Sequence, residues 1–410
     1  MAKGAYIGTS GTAKKIKKIY VGTAGTAHKV KKAYIGVGGV AKLWFTSGAA
    51  SRFIYAGYNK SYATNQETPS NFSALGDIGT TTATCLIDYD KLNDRFVALA
   101  FKSSFPLSVY TLPAGATTWT ALSGSVQYAS TNCRSIAIDP NDGSMYFVTW
   151  SDGQYQRTLT GYHYNITSSG VEYVDSKQVL NSYQSYCSLC CKFVGSYLVV
   201  TGANSNGQFY ISYSSGNNTW TNKTIDIVRS TGSNTYTVDG RVGLDPDVCL
   251  HYENGMYSFA VGEFCGQSGE GYYAPRLIGA GKSSTIANLK ADYTWYCKCT
   301  NYVSGFAFNK AFIMATAPPS GTQSTGKPDS AGIWAIDLGS GMSSGAVKIT
   351  DLPTGLRANM MCYANGLLWT AFKSISTYGS DLIYYTYDLS TWTSANVGGI
   401  LTAIAMVRND

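Results

Sequence analysis

The sequence predicts an all-β protein, in which a β-propeller of seven four-stranded blades follows a small N-terminal β-repeat module. Three observations lead to this fold class. The chain has 32 Tyr and 44 Gly residues but only 13% charged residues, a composition that favours short strands joined by turns. A pattern of four short strands recurs through most of the chain. Finally, the two ends of that region carry complementary pieces of one such unit.

The repeated unit is clearest from Asn359 to Val397, where four runs rich in apolar and aromatic residues alternate with polar turns. Asn365-Gly366 separates the first two runs, and this dipeptide is a strong signal for a two-residue hairpin. A Thr-Trp pair marks the fourth strand at Thr118-Trp119, Thr219-Trp220, Thr294-Trp295 and Thr391-Trp392. Six complete blades are predicted to begin near Thr84, Cys133, Cys187, Asp247, Tyr302 and Asn359.

The seventh blade is predicted to form from both ends of this region. Leu401 to Val407 supplies its first strand, Phe53 to Tyr58 its second, and the rest follows by residue 78. Pairing of the C-terminal strand with the blade that starts near Ser51 closes the ring. A closed propeller leaves only short, protected sheet edges.

The first 46 residues have a strict 14-residue period: AYIGTSGTAKKIKK, then IYVGTAGTAHKVKK, then AYIGVGGVAKLWFT. Two glycines three residues apart, followed by alternating Lys and aliphatic residues, predict strand, tight turn and strand. Such a unit is too short to bury a core, so it must stack on itself, on copies in an oligomer or on a partner. We therefore assign residues 1–46 to an anchoring module, 47–51 to a linker and 52–410 to the propeller.

Charge is unevenly distributed along the chain. Residues 1–45 contain nine lysines and no acidic residue, whereas the remaining 365 residues have a net charge of −2. The module's lysines flank strands in a regular pattern without a nucleic-acid-binding motif, so no nucleic-acid partner is expected. No apolar stretch is long enough to span a bilayer and the N-terminus lacks a signal-peptide pattern, so we expect synthesis in the cytoplasm and no membrane insertion.

The order of strands in a blade predicts two different faces. Turns between first and second strands and between third and fourth strands lie on one face, and the longest predicted loops lie on the other. The module enters at the start of a second strand, hence opposite the long loops. Aromatic rings stack on sugars and serve as hot spots in protein interfaces. The predicted ligand-binding residues are therefore the loop tyrosines Tyr155, Tyr183, Tyr186, Tyr272, Tyr273 and Tyr378.

No motif predicts a catalytic residue. SYSSGNNTW (212–220) resembles the Asp-box of sialidase-like propellers, although Ser214 replaces the Asp and one residue is inserted. YDLSTW (387–392) and LPAGATTW (112–119) are weaker matches, and the Asp-box is a structural hairpin rather than an active site. Glycosidase chemistry needs paired carboxylates, which Asp152, Glu263 or Glu270 could supply only if the fold brought them together.

Neither a metal site nor a cofactor is expected. Cys187-x-x-Cys190-Cys191 and Cys297-x-Cys299 have spacings compatible with zinc, but the two clusters fall in different predicted blades. The three histidines are dispersed. The ten cysteines are expected to be mostly reduced, buried thiols.

The sequence pattern of the 14-residue repeat is Tyr-Ile/Val-Gly-x-x-Gly-x-Ala-(Lys/His)-Lys. It resembles the N-terminal repeats of tail-associated proteins in phages and prophages of Gram-positive gut bacteria. The resemblance covers about 45 residues. It implies a virion protein that docks onto other tail or baseplate proteins through residues 1–46, is homo-oligomeric through its repeats, and presents the propeller to the host surface. The anchoring residues it implies are Tyr6, Tyr20, Tyr34, Lys17, Lys18, Lys31 and Lys32.

Three functions remain open at this point. The first is a non-enzymatic tail or baseplate protein that binds a host-surface glycan or protein and is located in the virion tail. The second is a propeller glycoside hydrolase that acts on host surface polysaccharide. The third is a capsid or tail decoration protein without a ligand. They differ in what the long loops do.

Overall fold

The computed structural model of this chain is all-β, with a seven-bladed propeller and almost no helix. The structure describes residues 6–9, 12–15, 20–23, 26–29, 32–37, 40–46, 52–57, 60–65, 72–78, 84–101, 107–113, 115–127, 133, 135–152, 157–182, 186–204, 208–215, 219–226, 249–264, 276–297, 302–315, 332–337, 347–351, 356–364, 366–374, 382–396 and 401–407.

Three hairpins precede the propeller. Their strands are β1 (Tyr6–Thr9), β2 (Thr12–Lys15), β3 (Tyr20–Thr23), β4 (Thr26–Lys29), β5 (Lys32–Val37) and β6 (Val40–Thr46). Each hairpin is a separate two-stranded antiparallel sheet. The first two have the same register, because Tyr6 pairs with Lys15 and Tyr20 pairs with Lys29. The 14-residue sequence period therefore repeats as backbone structure.

Six blades follow one another along the chain, each a four-stranded antiparallel sheet. Blade 1 contains β10 (Thr84–Asp90), β11 (Arg95–Phe101), β12 (Ser108–Pro113) and β13 (Thr120–Ala121). Blade 2 contains β14 (Ile136–Ile138), β15 (Met145–Asp152), β16 (Arg157–Ile166) and β17 (Val171–Ser182). Blade 3 contains β18 (Tyr186–Val194), β19 (Tyr197–Asn204), β20 (Gln208–Ser214) and β21 (Thr221–Asp226).

The next three blades repeat this order. Blade 4 contains β22 (Leu250–Glu253), β23 (Met256–Phe264), β24 (Arg276–Ser283) and β25 (Tyr293–Cys297), with a short 3-10 helix at Ile286–Asn288. Blade 5 contains β26 (Tyr302–Ala307), β27 (Lys310–Ala315), β28 (Gly332–Asp337) and β29 (Val347–Thr350). Blade 6 contains β30 (Leu356–Ala364), β31 (Leu367–Ser374), β32 (Leu382–Thr386) and β33 (Thr393–Asn396). All six predicted blade starts lie within three residues of the observed ones.

Blade 7 combines both ends of the propeller region, which confirms the predicted closure. Its strands, in sheet order, are β34 (Leu401–Met406), β7 (Arg52–Gly57), β8 (Ser61–Asn65) and β9 (Ser73–Leu75). Met406 pairs with Phe53, and the backbone amide of Val407 donates to the Arg52 carbonyl at 3.0 Å. The ring is thus closed by backbone hydrogen bonds between residues about 350 positions apart.

The first strands of the blades surround the central axis. Each of β34, β10, β14, β18, β22, β26 and β30 contacts the next one, and β30 returns to β34. The described hydrophobic clusters lie between neighbouring blades: one joins Phe209 of blade 3 to Phe259 of blade 4, another joins Phe53 of blade 7 to Trp369 of blade 6. Burial between sheets, rather than within any single one, therefore forms the core.

Turn chemistry fixes the hairpins between first and second strands. Asn254 and Gly255 both have positive φ, 53° and 79°, as a type I′ turn requires. Asn tolerates this region better than most residues and Gly has no Cβ to clash. The Asn-Gly signal in the sequence therefore identified this hairpin for the correct physical reason.

Candidate functional site

The propeller has two faces with different connections. We call the side with the first-to-second and third-to-fourth turns the turn face, and the opposite side the loop face. The first-to-second turns span only a few residues. The strand ends that lie at the loop face border five segments outside the described residues: 153–156, 227–248, 265–275, 316–331 and 375–381.

Of the six predicted ligand-binding tyrosines, one lies in the part of the chain that the structure describes. Tyr186 is the first residue of β18, so its backbone lies at the loop face. The other five lie outside the described residues: Tyr155, Tyr183, Tyr272, Tyr273 and Tyr378. Whether these rings come together stays a prediction.

The predicted anchoring residues lie in the three N-terminal hairpins or beside them. Tyr6 and Tyr20 are the first residues of β1 and β3, and Tyr34 lies within β5. Lys32 begins β5. The positions outside the described residues are Lys17, Lys18 and Lys31. Tyr6 and Tyr20 therefore occupy equivalent positions in the first two hairpins.

A buried ion pair joins three blades near the axis. The Lys192 ammonium in β18 donates to Asp88 Oδ1 in β10 at 3.0 Å, and both side chains are less than 10% exposed. The other carboxylate oxygen of Asp88 accepts from the backbone amide of Ile138 in β14 at 3.0 Å. Every first strand from blade 1 to blade 3 is thereby tied to the others. These charges serve the scaffold, because both oxygens of Asp88 are engaged within the fold.

A second buried contact also joins neighbouring blades. The Ser135 hydroxyl donates to the Cys191 carbonyl at 3.0 Å and also accepts from the Cys191 amide. Cys191 is fully buried, and this desolvation raises its thiol pKa well above the ordinary value. Its neighbour in the buried region, Cys133, adds to the shift. Such a thiol is protonated and inert at neutral pH, as expected for a packing residue.

The described residues offer no metal centre. Among them, no group of three or more His, Cys, Asp or Glu side chains is arranged to hold a metal ion. The described cysteines are reduced, and most are buried. Cys187 lies in β18 and Cys297 ends β25, but their side chains are outside the description, and Cys299 lies outside the described residues. Also within the described part, no helix has the length and apolar character needed to cross a bilayer.

The turn face carries an aromatic cluster that sequence reasoning did not single out. Between blades 3 and 4, Tyr252 packs on Tyr257 with ring centroids 4.6 Å apart, and Tyr197 contacts both Tyr257 and Tyr213. Burial raises the pKa of Tyr257 to about 12, whereas Tyr252 remains 37% exposed. Tyr252 and Tyr257 flank the Asn254-Gly255 turn, so their common location could have been predicted from the hairpin itself.

Phe308 is a backbone outlier on the same face. It has φ of 54° in the turn between β26 and β27, a conformation that is unusual for a bulky residue. Its amide donates to the Tyr363 hydroxyl of the next blade at 3.1 Å, and the two rings meet edge to face at 5.1 Å. The His251 ring also contacts the Tyr363 ring, with centroids 5.1 Å apart. Contacts between blades therefore hold this strained turn.

YDLSTW, one of the weaker Asp-box matches, forms a carboxylate-capped turn: Asp388 Oδ1 accepts from the amides of Ser390 and Thr391 at 2.8 and 2.9 Å. These bonds lower the pKa of Asp388. Trp392 donates from Nε1 to the Leu389 carbonyl and packs against the blade 5–6 cluster. In SYSSGNNTW, residues 216–218 lie outside the description. The turn is structural.

The candidate hydrolytic carboxylates have a shared location but no described geometry. Asp152 is the last residue of β15, and Glu263 is the penultimate residue of β23. Both strands run toward the loop face, so both backbones end there. Glu270 lies outside the described residues. In contrast, Asp90 near the turn face is fully buried and accepts from Arg95 Nε and Asn93 Nδ2, which makes it a structural carboxylate.

Comparison with known proteins does not identify a family. No family model matches the sequence, and no curated protein does. Among solved structures, the polysaccharide lyase Uly1 is similar with 8% identity and a TM-score of 0.49, over 93% of this chain and 92% of that one. The β-propeller domain of the Trilobed protease from Pyrococcus furiosus is similar with 8% identity and a TM-score of 0.43, over 77% and 86%.

A further similarity is to one chain from a structural and mechanistic analysis of two prolyl endopeptidases, with 8% identity and a TM-score of 0.46. It covers 84% of this chain but only 50% of the peptidase chain, so about half of that enzyme has no counterpart here. These neighbours are enzymes. No activity is assigned to this chain from these similarities.

Proposed function

We propose that this chain is a non-enzymatic virion protein of a phage tail or baseplate. It is anchored through its N-terminal repeats and binds a host-surface glycan or protein with the loop face of its propeller. One observation carries the proposal: β6 ends at Thr46 and β7 begins at Arg52, and the start of β7 lies at the turn face. The module therefore joins the propeller opposite the long loops.

The closed ring supports a binding role for the loop face. The propeller is tied together by backbone pairing of β34 with β7 and by the Asp88–Lys192 pair across three blades. Loops that vary on a rigid scaffold are where recognition is usually found. A protein held at one face and carrying long loops on the other suits attachment of a virion to a cell.

A binding assay with a matched control tests this proposal. Labelled full-length protein is incubated with purified cell walls of Gram-positive gut bacteria, and bound protein and released sugar are both measured. We expect saturable binding, no sugar release, and at least tenfold weaker binding when the loop-face tyrosines Tyr155, Tyr272 and Tyr378 are changed to Ala, an effect of about 1.4 kcal/mol or more. Tyr252→Ala and Tyr387→Ala are the controls, because both exposed rings lie at the turn face.

A glycoside hydrolase is the alternative, favoured by the arrival of Asp152 and Glu263 at the loop face. It predicts sugar release in the same assay, with turnover abolished by Asp152→Asn or Glu263→Gln. Binding that is unaffected by the loop substitutions would contradict the assignment of the ligand to the loop face. Absence of both binding and release would favour a decoration protein without a ligand.

A further inference from the structure

The turn between β22 and β23 holds an Asn-Gly pair in an open position. Of the three Asn-Gly pairs in the sequence, which begin at Asn206, Asn254 and Asn365, only Asn254-Gly255 has both residues in the described part. Both residues are exposed, and a side chain at Gly255 would meet nothing within 4 Å beyond its chain neighbours. Within the described part, neither the Asn254 side chain nor the Gly255 amide makes a hydrogen bond. Only the flanking strands hold this turn.

A turn of similar sequence between β14 and β15 is closed. Here the Gly143 amide donates to the Asp139 carbonyl at 2.9 Å. The preceding residue is also held, because Asp142 Oδ1 accepts from the Ser144 amide and hydroxyl at 2.8 and 2.6 Å. A side chain at Gly143 would come within 2.7 Å of Asn93 Nδ2. The propeller thus contains one open and one held turn with a Gly in the second position.

We propose that Asn254 is a site of spontaneous deamidation, with water as the only co-reactant. The Gly255 nitrogen forms a bond to Asn254 Cγ, the bond from Cγ to the side-chain nitrogen breaks, and that nitrogen leaves as ammonia with the Gly255 proton. Water then opens the resulting succinimide at either carbonyl, which leaves an aspartate or an isoaspartate. The sum is amide plus water to carboxylic acid plus ammonia, without oxidation or reduction.

The open turn provides what this reaction requires. The Gly255 nitrogen must rotate toward the Asn254 side chain, and a glycine has no Cβ to obstruct its approach. Such rotation needs local opening of the turn, which costs little where the backbone is exposed and makes no hydrogen bond. In the closed turn, the same rotation would break the bond from Gly143 to Asp139. The fold therefore selects between two turns of similar chemistry.

The two products should affect blade 4 differently. Both add a negative charge next to Glu253, whose carboxylate lies 3.8 Å from His251 Nε2. An aspartate keeps the length of the backbone, and Asp-Gly also suits a type I′ turn. An isoaspartate adds one carbon to the backbone between Glu253 and Met256, which are paired across the hairpin. The isoaspartyl form should therefore distort the turn, whereas the aspartyl form should keep it.

The rate test uses full-length protein and a variant that places Asn-Gly in the closed turn, Asp142→Asn. Both proteins are incubated at mildly alkaline pH, which favours loss of the attacking amide's proton. Peptide mapping by mass spectrometry follows the gain of about 1 Da at each site. We expect conversion at Asn254 to be at least about tenfold faster than at position 142 of the variant. In urea, where neither turn is folded, the two sites should convert at similar rates.

The products are tested after separation of the converted protein by ion exchange. Asn254→Asp is the control for the added charge alone. We expect its Tm to match that of wild type, and the Tm of the isoaspartyl fraction to be about 1–2 °C lower. Equal Tm values for that fraction and Asn254→Asp would contradict the predicted distortion of the turn.

Two results would overturn the site itself. One is an Asn254 peptide that gains no mass in the folded chain over the time in which the urea-unfolded chain converts. The other is equally fast conversion at Asn254 and at position 142 of folded Asp142→Asn, with circular dichroism verifying that the variant is folded. The inference does not rest on the proposed function, because no cell-wall component takes part in this reaction.

Discussion

The N-terminal repeats and the propeller are both built from antiparallel hairpins, yet they use them in opposite ways. In the propeller, hairpins join into four-stranded sheets whose faces are buried against the next blade, as at Phe209 and Phe259, both with 0% exposure. In the repeats, each hairpin remains a two-stranded sheet. Similar local sequence signals thus produce a self-sufficient ring in one region and units in need of a partner in the other.

Removal of the closing strand should have the largest effect on the stability of the propeller. Deletion of residues 401–410 removes β34, the first strand of blade 7, and exposes β7 together with buried residues such as Phe53. Burial of the closing strand contributes several kcal/mol, which is comparable to the whole stability of a domain. We expect loss of the cooperative thermal transition, measured by calorimetry of the purified chain.

Deletion of residues 1–46 is the matching control. If the propeller is self-sufficient, this truncated chain should melt cooperatively, within about 2 °C of the full-length protein. A large decrease in Tm on removal of the repeats would contradict the view that the two regions are energetically separate. The same truncation tests the proposed anchoring, because it should abolish incorporation into virions.

Within the ring, loss of the Asp88–Lys192 pair is expected to have the next largest effect. Lys192→Met removes the ammonium that donates to the buried Asp88 carboxylate, whose other oxygen accepts from the Ile138 amide. Removal of one partner of a buried ion pair typically costs about 3–5 kcal/mol. Denaturant unfolding at neutral pH measures this change directly.

Two further variants sharpen that result. Asp88→Asn combined with Lys192→Met removes both charges but keeps an oxygen for the Ile138 amide, so it should recover a large part of the loss. Lys223→Met changes a lysine whose ammonium donates to the Ala287 carbonyl in an exposed hydrogen bond, and should cost less than about 1 kcal/mol. Equal effects of Lys192→Met and Lys223→Met would refute the importance of burial here.

A smaller effect is expected from the contact that joins blades 7 and 1. Ser61 Oγ donates to the Gly76 carbonyl at 3.1 Å and accepts from Trp119 Nε1 at 2.8 Å. Ser61→Ala leaves the buried indole N–H without this acceptor and should cost about 1–3 kcal/mol in unfolding free energy. Ser123→Ala, which removes an exposed bond to the Ser169 carbonyl, is the comparison and should have little effect. A reversed order would be inconsistent with this account.

Most of the propeller was predictable because its signals are local and repeated. Tyr-rich strands recur along the propeller, Thr-Trp pairs mark four blades and Asn-Gly turns mark two. The strands at Phe53 and Leu401 belong to one blade and pair with each other. The prediction of seven four-stranded blades closed by the C-terminal strand is therefore confirmed. Each blade start could be found without knowledge of any long-range contact.

The interactions between blades were not predictable in the same way. Asp88 and Lys192 are separated by 104 residues, and nothing near either one indicates the other. The Asp388 turn matches a known motif only weakly, because its geometry depends only on a carboxylate that reaches two amides. The loop-face tyrosines stay a prediction, since loop sequences of this length carry no periodicity from which to place them.

The Asp388 turn allows the finest test, because it is local and its contribution depends on pH. Asp388→Ala removes the acceptor for the Ser390 and Thr391 amides and should cost about 1 kcal/mol at neutral pH, in the range of other carboxylate caps. The folded state lowers the pKa of Asp388, so the ionised form stabilises the fold above the ordinary Asp pKa of about 4, and this stability is lost as pH falls through the lower folded value. The difference in Tm between wild type and Asp388→Ala should therefore shrink below about pH 4. Asp388→Asn, which keeps an oxygen but no charge, should lie between them at neutral pH, and a pH-independent difference would show that the carboxylate charge has no part in holding the turn.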